Sequence, residues 1–90
     1  MIQWDLLYAI TGLEDPSGLE IKDALEEVYE NEVNFRRLYT NLDTLVDKGL
    51  VEKRKKDGRT NIYSLTERGE REIKTRREWE DQYIGGMLER

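Results

Sequence analysis

The chain has 90 residues, a formal net charge of −5, no cysteine and no histidine. That length makes one domain with a modest core. The missing cysteine excludes a disulfide framework and thiol chemistry, and the missing histidine removes the commonest metal ligand and the commonest general base near neutral pH. No run of acids has the spacing of a calcium loop, so neither a metal nor a cofactor is expected. Apolar runs are too short to span a bilayer and no signal peptide precedes the first helix, so the expected location is the cytoplasm. The charge is uneven. Up to Val33 one Lys stands against nine acids; from Asn34 to Asn61 eight Lys or Arg stand against four; from Ile62 onward six stand against seven. The acidic remainder fits an ordinary solvated face or adaptation to a salty cytoplasm, and composition alone does not choose between them.

Ile2 to Leu13 reads as the first helix, with Ile2, Leu6, Ala9, Ile10 and Leu13 on one apolar face and Trp4, Leu7 and Tyr8 on a second. Two apolar faces on so short a helix call for two neighbours, the domain core and a second subunit. The plain alternative for Trp4 is cover from the chain's own last helix. Gly12 to Pro16 is a turn. Ser17 and Glu20 form an S-x-x-E capping box for a second helix whose inner face is Ile21, Leu25, Val28 and Tyr29, with Asp23, Glu26, Glu27 and Glu30 mostly outside.

Asn31 and Glu32 lead into a third helix capped by Asn34. Val33 and Leu38 have the spacing of a hydrophobic staple, Leu38, Leu42, Leu45 and Val46 form one face, and Gly49 stops the helix. The other face carries Phe35, Arg36, Arg37, Thr40, Asn41 and Thr44, groups suited to phosphates and base edges. Leu50–Arg54 and Thr60–Leu65 then read as a hairpin around Asp57-Gly58. A two-residue turn there pairs Lys56 with Arg59, Lys55 with Thr60, Arg54 with Asn61, Glu52 with Tyr63 and Leu50 with Leu65, and puts Leu50, Tyr63 and Leu65 on the inner face. It sets Lys56 against Arg59, a like-charge pair that points to a polyanion outside the chain. Thr66 caps a last helix that runs to about Ile84, where Gly85-Gly86 interrupts it; Trp79, Tyr83, Ile84, Met87 and Leu88 lie near one face.

The run Arg37-Leu38-Tyr39-Thr40-Asn41-Leu42, with Leu45, Lys48-Gly49-Leu50-Val51 and Gly58-Arg59-Thr60-Asn61-Ile62-Tyr63-Ser64-Leu65-Thr66-Glu67-Arg68-Gly69, resembles the PadR-like transcriptional regulators. It looks closest to their short, acidic versions in halophilic archaea. The resemblance spans most of the chain. It implies a mainly α fold with a small β-hairpin wing: a winged helix-turn-helix over residues 1–65 and a C-terminal dimerisation helix over 66–90. It further implies a homodimer on palindromic operator DNA, with the recognition helix at Asn34 to Lys48 and the wing at Arg54 to Asn61. Tyr39 takes the family's tyrosine position, associated with backbone contact. Thr40 departs from the proline of many members, and the C-terminal region is shorter than the effector-binding domains of some relatives.

The expected function is that of a sequence-specific regulator of double-stranded DNA, acting as a repressor. Arg36, Arg37, Thr40 and Asn41 would reach the groove, Tyr39 and Lys48 the phosphates, and Arg54, Lys55, Lys56, Arg59 and Asn61 the flanking backbone or minor groove, with Asn34 and Phe35 at the helix start. Each has a bland alternative. Arg36 and Arg37 are also plain solvated cations, Tyr39 a packing residue, Phe35 a shield for the link before it, and Asn41 a tolerated exposed amide. Trp4, Leu7, Tyr8, Trp79, Tyr83, Ile84, Met87 and Leu88 are the expected dimer contacts. The competing function is a winged-helix adaptor that binds protein without reading DNA. An enzyme is the least supported class, because no catalytic constellation assembles from these residues. The residues name no small-molecule effector.

Overall fold

The computed structural model describes the backbone of residues 2–88 and the side chains of residues 3–85. Helix α1 (Ile2–Gly12) sinks Leu6, Leu7 and Ile10 into the core, with Trp4, Ala9 and Leu13 half-buried around them. Helix α2 (Gly18–Tyr29) begins with the expected capping box: Ser17 Oγ accepts from the Glu20 N–H at 3.2 Å and Glu20 Oε1 accepts from the Ser17 N–H at 3.1 Å. Two orphan donors of the helix start are thereby satisfied. Ile21 and Leu25 are buried as expected, but Val28 is 76% exposed. Its phase is right, but it stands in the last turn of α2, just before the left-handed cap at Glu30. Tyr29 is also turned out, and its hydroxyl donates to the Asp5 carboxylate of α1. Glu26, expected outside, bends inward instead. It accepts from the Val33 N–H at 2.8 Å and from Lys22 Nζ at 2.9 Å, holding the link to the next helix.

Helix α3 (Phe35–Asp47) starts where Asn34 accepts from the Arg37 N–H at 3.0 Å. Val33 and Leu38 are both in the core, as a staple requires, together with Leu42 and Leu45. The helix ends in a Schellman arrangement. Gly49 sits at φ 76°, its N–H reaching the Val46 carbonyl at 3.0 Å while the Leu50 N–H reaches that of Leu45 at 3.1 Å. The left-handed conformation suits a residue without Cβ.

Strands β1 (Val51–Lys55) and β2 (Asn61–Leu65) form the antiparallel hairpin, one residue out of the expected register. Val51 pairs with Leu65, Lys53 with Tyr63, Arg54 with Ile62 and Lys55 with Asn61. The cause is the tip. The Asp57 carboxylate accepts from the N–H groups of Arg59 and Thr60, both at 2.9 Å, and the Lys56 N–H reaches the Thr60 carbonyl at 2.8 Å. Asp57 thus closes a side-chain-supported turn of Asp57, Gly58 and Arg59, and Gly58 does not take the positive φ that a two-residue primed turn demands. Lys56 therefore does not oppose Arg59, and the like-charge argument for a polyanion falls. Val51, not Leu50, joins Tyr63 on the buried face. The Tyr63 N–H also reaches the Pro16 carbonyl at 2.9 Å, and a bridge between Ser17 and Ile62 ties the hairpin to the start of α2.

Helix α4 (Glu67–Leu88) is capped by Thr66, whose hydroxyl accepts from the Gly69 N–H at 3.0 Å and donates to the Gly49 carbonyl at 2.6 Å. It does not stop at Gly85-Gly86. Two glycines cost a helix about 2 kcal/mol, and neither takes the left-handed conformation that would cap the helix there. The helix is about 33 Å long. Met87 and Leu88, expected at the dimer contact, lie outside the described side chains.

Three carboxylates that organise the fold are held below their ordinary values: Glu20 by Ser17, Glu26 by its hydrogen bonds to Lys22 and Val33, and Asp57 by the backbone of Arg59 and Thr60. Their stabilisation is complete above the unfolded values of 4.5 for Glu and 3.8 for Asp and is lost as pH falls through the lower folded values. Tyr29 is shifted the other way, to about 12, by burial and by its bond to Asp5. Its contribution is complete below 10.0 and is lost as pH rises toward 12. With no histidine between these limits, the thermal midpoint is expected to stay level from about pH 6 to 9 and to fall on both sides. Melts followed by circular dichroism across that range check it; a midpoint that drifts within the plateau would show another titrating group.

Candidate nucleic-acid interface

With Leu38, Leu42 and Leu45 facing the core, the opposite stripe of α3 is Arg36, Thr40, Asp43 and Asp47, and every member is exposed. These positions recur at four, three and four residues, one line along the helix. Phe35 and Tyr39 flank the stripe on the α2 side. Their rings stack with centroids 6.0 Å apart, and Lys22 Nζ lies 4.8 Å over Phe35. Phe35 thus lies against α2 through Lys22, while Tyr39 lies against Gly18, where a Cβ would come within 2.7 Å of its ring carbons. Tyr39, Arg59, Thr60 and Asn61 line one shallow cleft of about 250 Å³ beside the start of α2.

Asn41 and Lys48 lie on the other flank, toward α1. Lys48 Nζ donates to Gln3 Oε1 at 3.1 Å, Gln3 Nε2 donates to Asn41 Oδ1 at 3.2 Å, and Asn41 Nδ2 donates to the Arg37 carbonyl at 2.8 Å. Asn41 is thus half-buried, with both amide atoms engaged between α1 and α3. Gln3 was invisible as its partner because the two are 38 positions apart.

The true hairpin register changes which cations face α3. Lys53, Lys55 and Asn61 share one face, and Lys53 Nζ approaches Asp43 Oδ1 at 3.9 Å. Arg54 turns to the opposite face and meets Asp15 at 3.3 Å. Lys53 was missed because a two-residue turn puts it on the wrong side; the Asx turn at Asp57 is the signal that would have found it. Among the described residues no salt bridge joins Arg36, Arg37, Lys55, Lys56 or Arg59 to an acid. An exposed helix stripe and a basic hairpin tip thus lie beside each other, and among the described residues Arg36, Lys55, Lys56 and Arg59 have no ion-pair partner.

On α4, Trp79, Tyr83 and Ile84 are exposed, and the Trp79 and Tyr83 rings lie 5.2 Å apart. Arg76 stands between Trp4 and Trp79, 5.0 and 5.3 Å from their rings, and the Tyr8 hydroxyl donates to Glu80 at 3.1 Å. Trp4 is therefore covered in part by its own α4. Leu7, expected at a subunit contact, is buried in the core of its own chain, because α3 and α4 together close over that side of α1. Among the described residues no group of three or more acids is placed to hold a metal ion, and no helix is long and apolar enough to cross a membrane.

Four helices with a basic antiparallel hairpin behind an exposed third helix define a winged helix-turn-helix protein. Residues 6–75 match the transcriptional regulator PadR-like family, and the chain belongs to that family. It is 46% identical to RosR of H. salinarum over 91% of this chain and 74% of that one, with a TM-score of 0.87. A complex structure of hsRosR, named S4, gives 46% identity over 92% and 71%, with a TM-score of 0.89. The fold extends to a MarR/EmrR family transcriptional regulator from Acinetobacter sp. ADP1, 23% identical over 94% of this chain and 60% of that one, with a TM-score of 0.67. No curated protein matches the sequence. The family's members are transcriptional regulators, not enzymes.

Proposed function

We propose that this chain is a cytoplasmic repressor that binds palindromic operators in double-stranded DNA as a homodimer. Residues 1–65 bind DNA and residues 66–90 join the subunits. The observation that carries the reading is the joint exposure of Arg36 and Arg37 on α3 and Lys55, Lys56 and Arg59 on the hairpin, with no acid of the chain paired to any of them among the described residues. An adaptor surface has no need for the helix and the hairpin to be basic together. In this arrangement Arg36 and Thr40 enter the major groove, and Arg37, Tyr39 and the hairpin cations hold the phosphates on either side. Likeness to a protein of H. salinarum supports a halophilic, archaeal setting, in which the acidic remainder of the surface keeps the protein dissolved.

Selection of bound genomic fragments by the purified protein at several salt concentrations tests this. The expected result is a two-fold symmetric motif with half-sites about 10 base pairs apart. Affinity should fall linearly in log–log form with salt, with a slope of about −0.9 per phosphate neutralised. Arg36→Ala with Arg37→Ala should weaken specific binding by about 3 kcal/mol, on the order of 100-fold, and erase the motif. Recovery of unselected DNA, or of none at any salt, would overturn the reading and favour the protein adaptor.

A further inference from the structure

The stripe of α3 that faces away from the core carries an acid in its middle, where a protein drawn to phosphates has no electrostatic use for one. Asp43 lies three residues after Thr40 and seven after Arg36, and its side chain is 63% exposed. Among the described residues its one ion-pair contact is the long one, 3.9 Å, to Lys53 of β1. The other acid of the stripe, Asp47, stands in the last turn of α3, where it lines a cleft with residues of α1 and α4.

From this position we infer that Asp43 is a specificity-determining residue that accepts a hydrogen bond from the exocyclic amine of a cytosine. This rests on the reading that α3 enters the major groove of DNA. A carboxylate in that groove meets acceptors at guanine N7 and O6 and at thymine O4, and these repel it. Adenine offers a donor at N6 but sets the N7 acceptor beside it. Cytosine presents N4 as a donor with only the C5–H beside it on its own edge, the guanine O6 acceptor lying on the partner base, and Asp or Glu is the side chain that suits it. Lys53 completes the device. Its ammonium beside Asp43 offsets the repulsion between the carboxylate and the flanking phosphates, so the acid is tolerated near DNA while its outward oxygen stays free for the base.

Selection from randomised duplexes, run in parallel with the wild-type protein, Asp43→Asn and Asp43→Ala at one salt concentration, tests the inference. Wild type should prefer cytosine at one position of each half-site on the order of ten-fold over other bases. Asp43→Asn should shift that position to adenine, whose N6 and N7 fit an amide, and Asp43→Ala should leave it degenerate, while the remaining positions keep their bases. If both variants retain the wild-type motif and simply bind every sequence more tightly, Asp43 is a counter-ion for Lys53 and the inference fails while operator binding stands. If wild type selects no motif, the DNA-reading function fails and the inference with it.

Discussion

Replacing Trp79 and Tyr83 together by alanine is expected to leave a folded monomer with half the wild-type mass and operator affinity lowered at least about 100-fold. Trp79 is 52% and Tyr83 67% exposed, one turn apart on the same side of α4, with Ile84 exposed beside them. Large aromatic side chains left in water at that density mark a surface meant to be covered. Aromatic anchors commonly contribute about 2 kcal/mol or more each to such a contact, so losing two weakens self-association on the order of 1,000-fold. DNA binding falls with it, since each subunit then meets its half-site alone. Arg76 between the Trp4 and Trp79 rings, and Glu80 beneath the Tyr8 hydroxyl, tie α4 to α1, so in the proposed homodimer a pairing of two α4 helices would also set the spacing of two α3 helices. Val28→Ser is the control: Val28 is exposed too, but on α2, and its change should alter neither mass nor affinity. Sedimentation analysis beside a binding titration reads both. An unchanged mass for the double variant would place the subunit contact elsewhere.

What the sequence revealed well was local. Ser17, Asn34, Gly49 and Thr66 each act on backbone within a few residues, so the bounds of α2, α3 and the start of α4 follow from short-range chemistry. The hairpin was legible as an element and illegible as a register. Asp57-Gly58 suits a two-residue turn, yet the Asp57 carboxylate closes a longer one, and a slip of one residue moves every side chain to the other face. That single difference exchanges Arg54 for Lys53 beside α3 and removes the opposition of Lys56 and Arg59. Other errors are tertiary. The phase of Val28 is that of a core residue, but Val28 is left exposed in the last turn of α2; Leu7 has the phase of a second face, but its own chain fills the space. The amide of Asn41 looks free on a helical wheel until Gln3 arrives from α1. The exposure of Arg36, Thr40 and the hairpin tip was legible, because it follows from the leucine phase of α3 and from charge alone.

Two glycines of α4 should respond to alanine in opposite directions, and the pair tests how that helix is seated. At Gly69 a Cβ would run into the Leu50 carbonyl oxygen and lie 3.1 Å from the carbonyl carbon and 3.3 Å from Leu65 Cδ2. The Leu50 carbonyl cannot retreat freely, since it accepts from the Thr66 N–H at 3.1 Å and lies just past the end of α3. Backbone must therefore shift at the junction of α3, β1 and α4, and Gly69→Ala is expected to cost about 3 kcal/mol. At Gly85 the nearest atom to a Cβ is Asp81 Cβ at 3.8 Å, an ordinary contact, and the residue is inside a helix. Gly85→Ala should stabilise by up to about 1 kcal/mol, through the smaller entropy lost by alanine on entering the helix. Urea titrations of both variants give the two signs directly. Equal, small effects would mean that the first turn of α4 is not wedged against Leu50. In that event the rigid route from the aromatic face of α4 to α3 would have to run through the Trp4–Arg76–Trp79 stack alone.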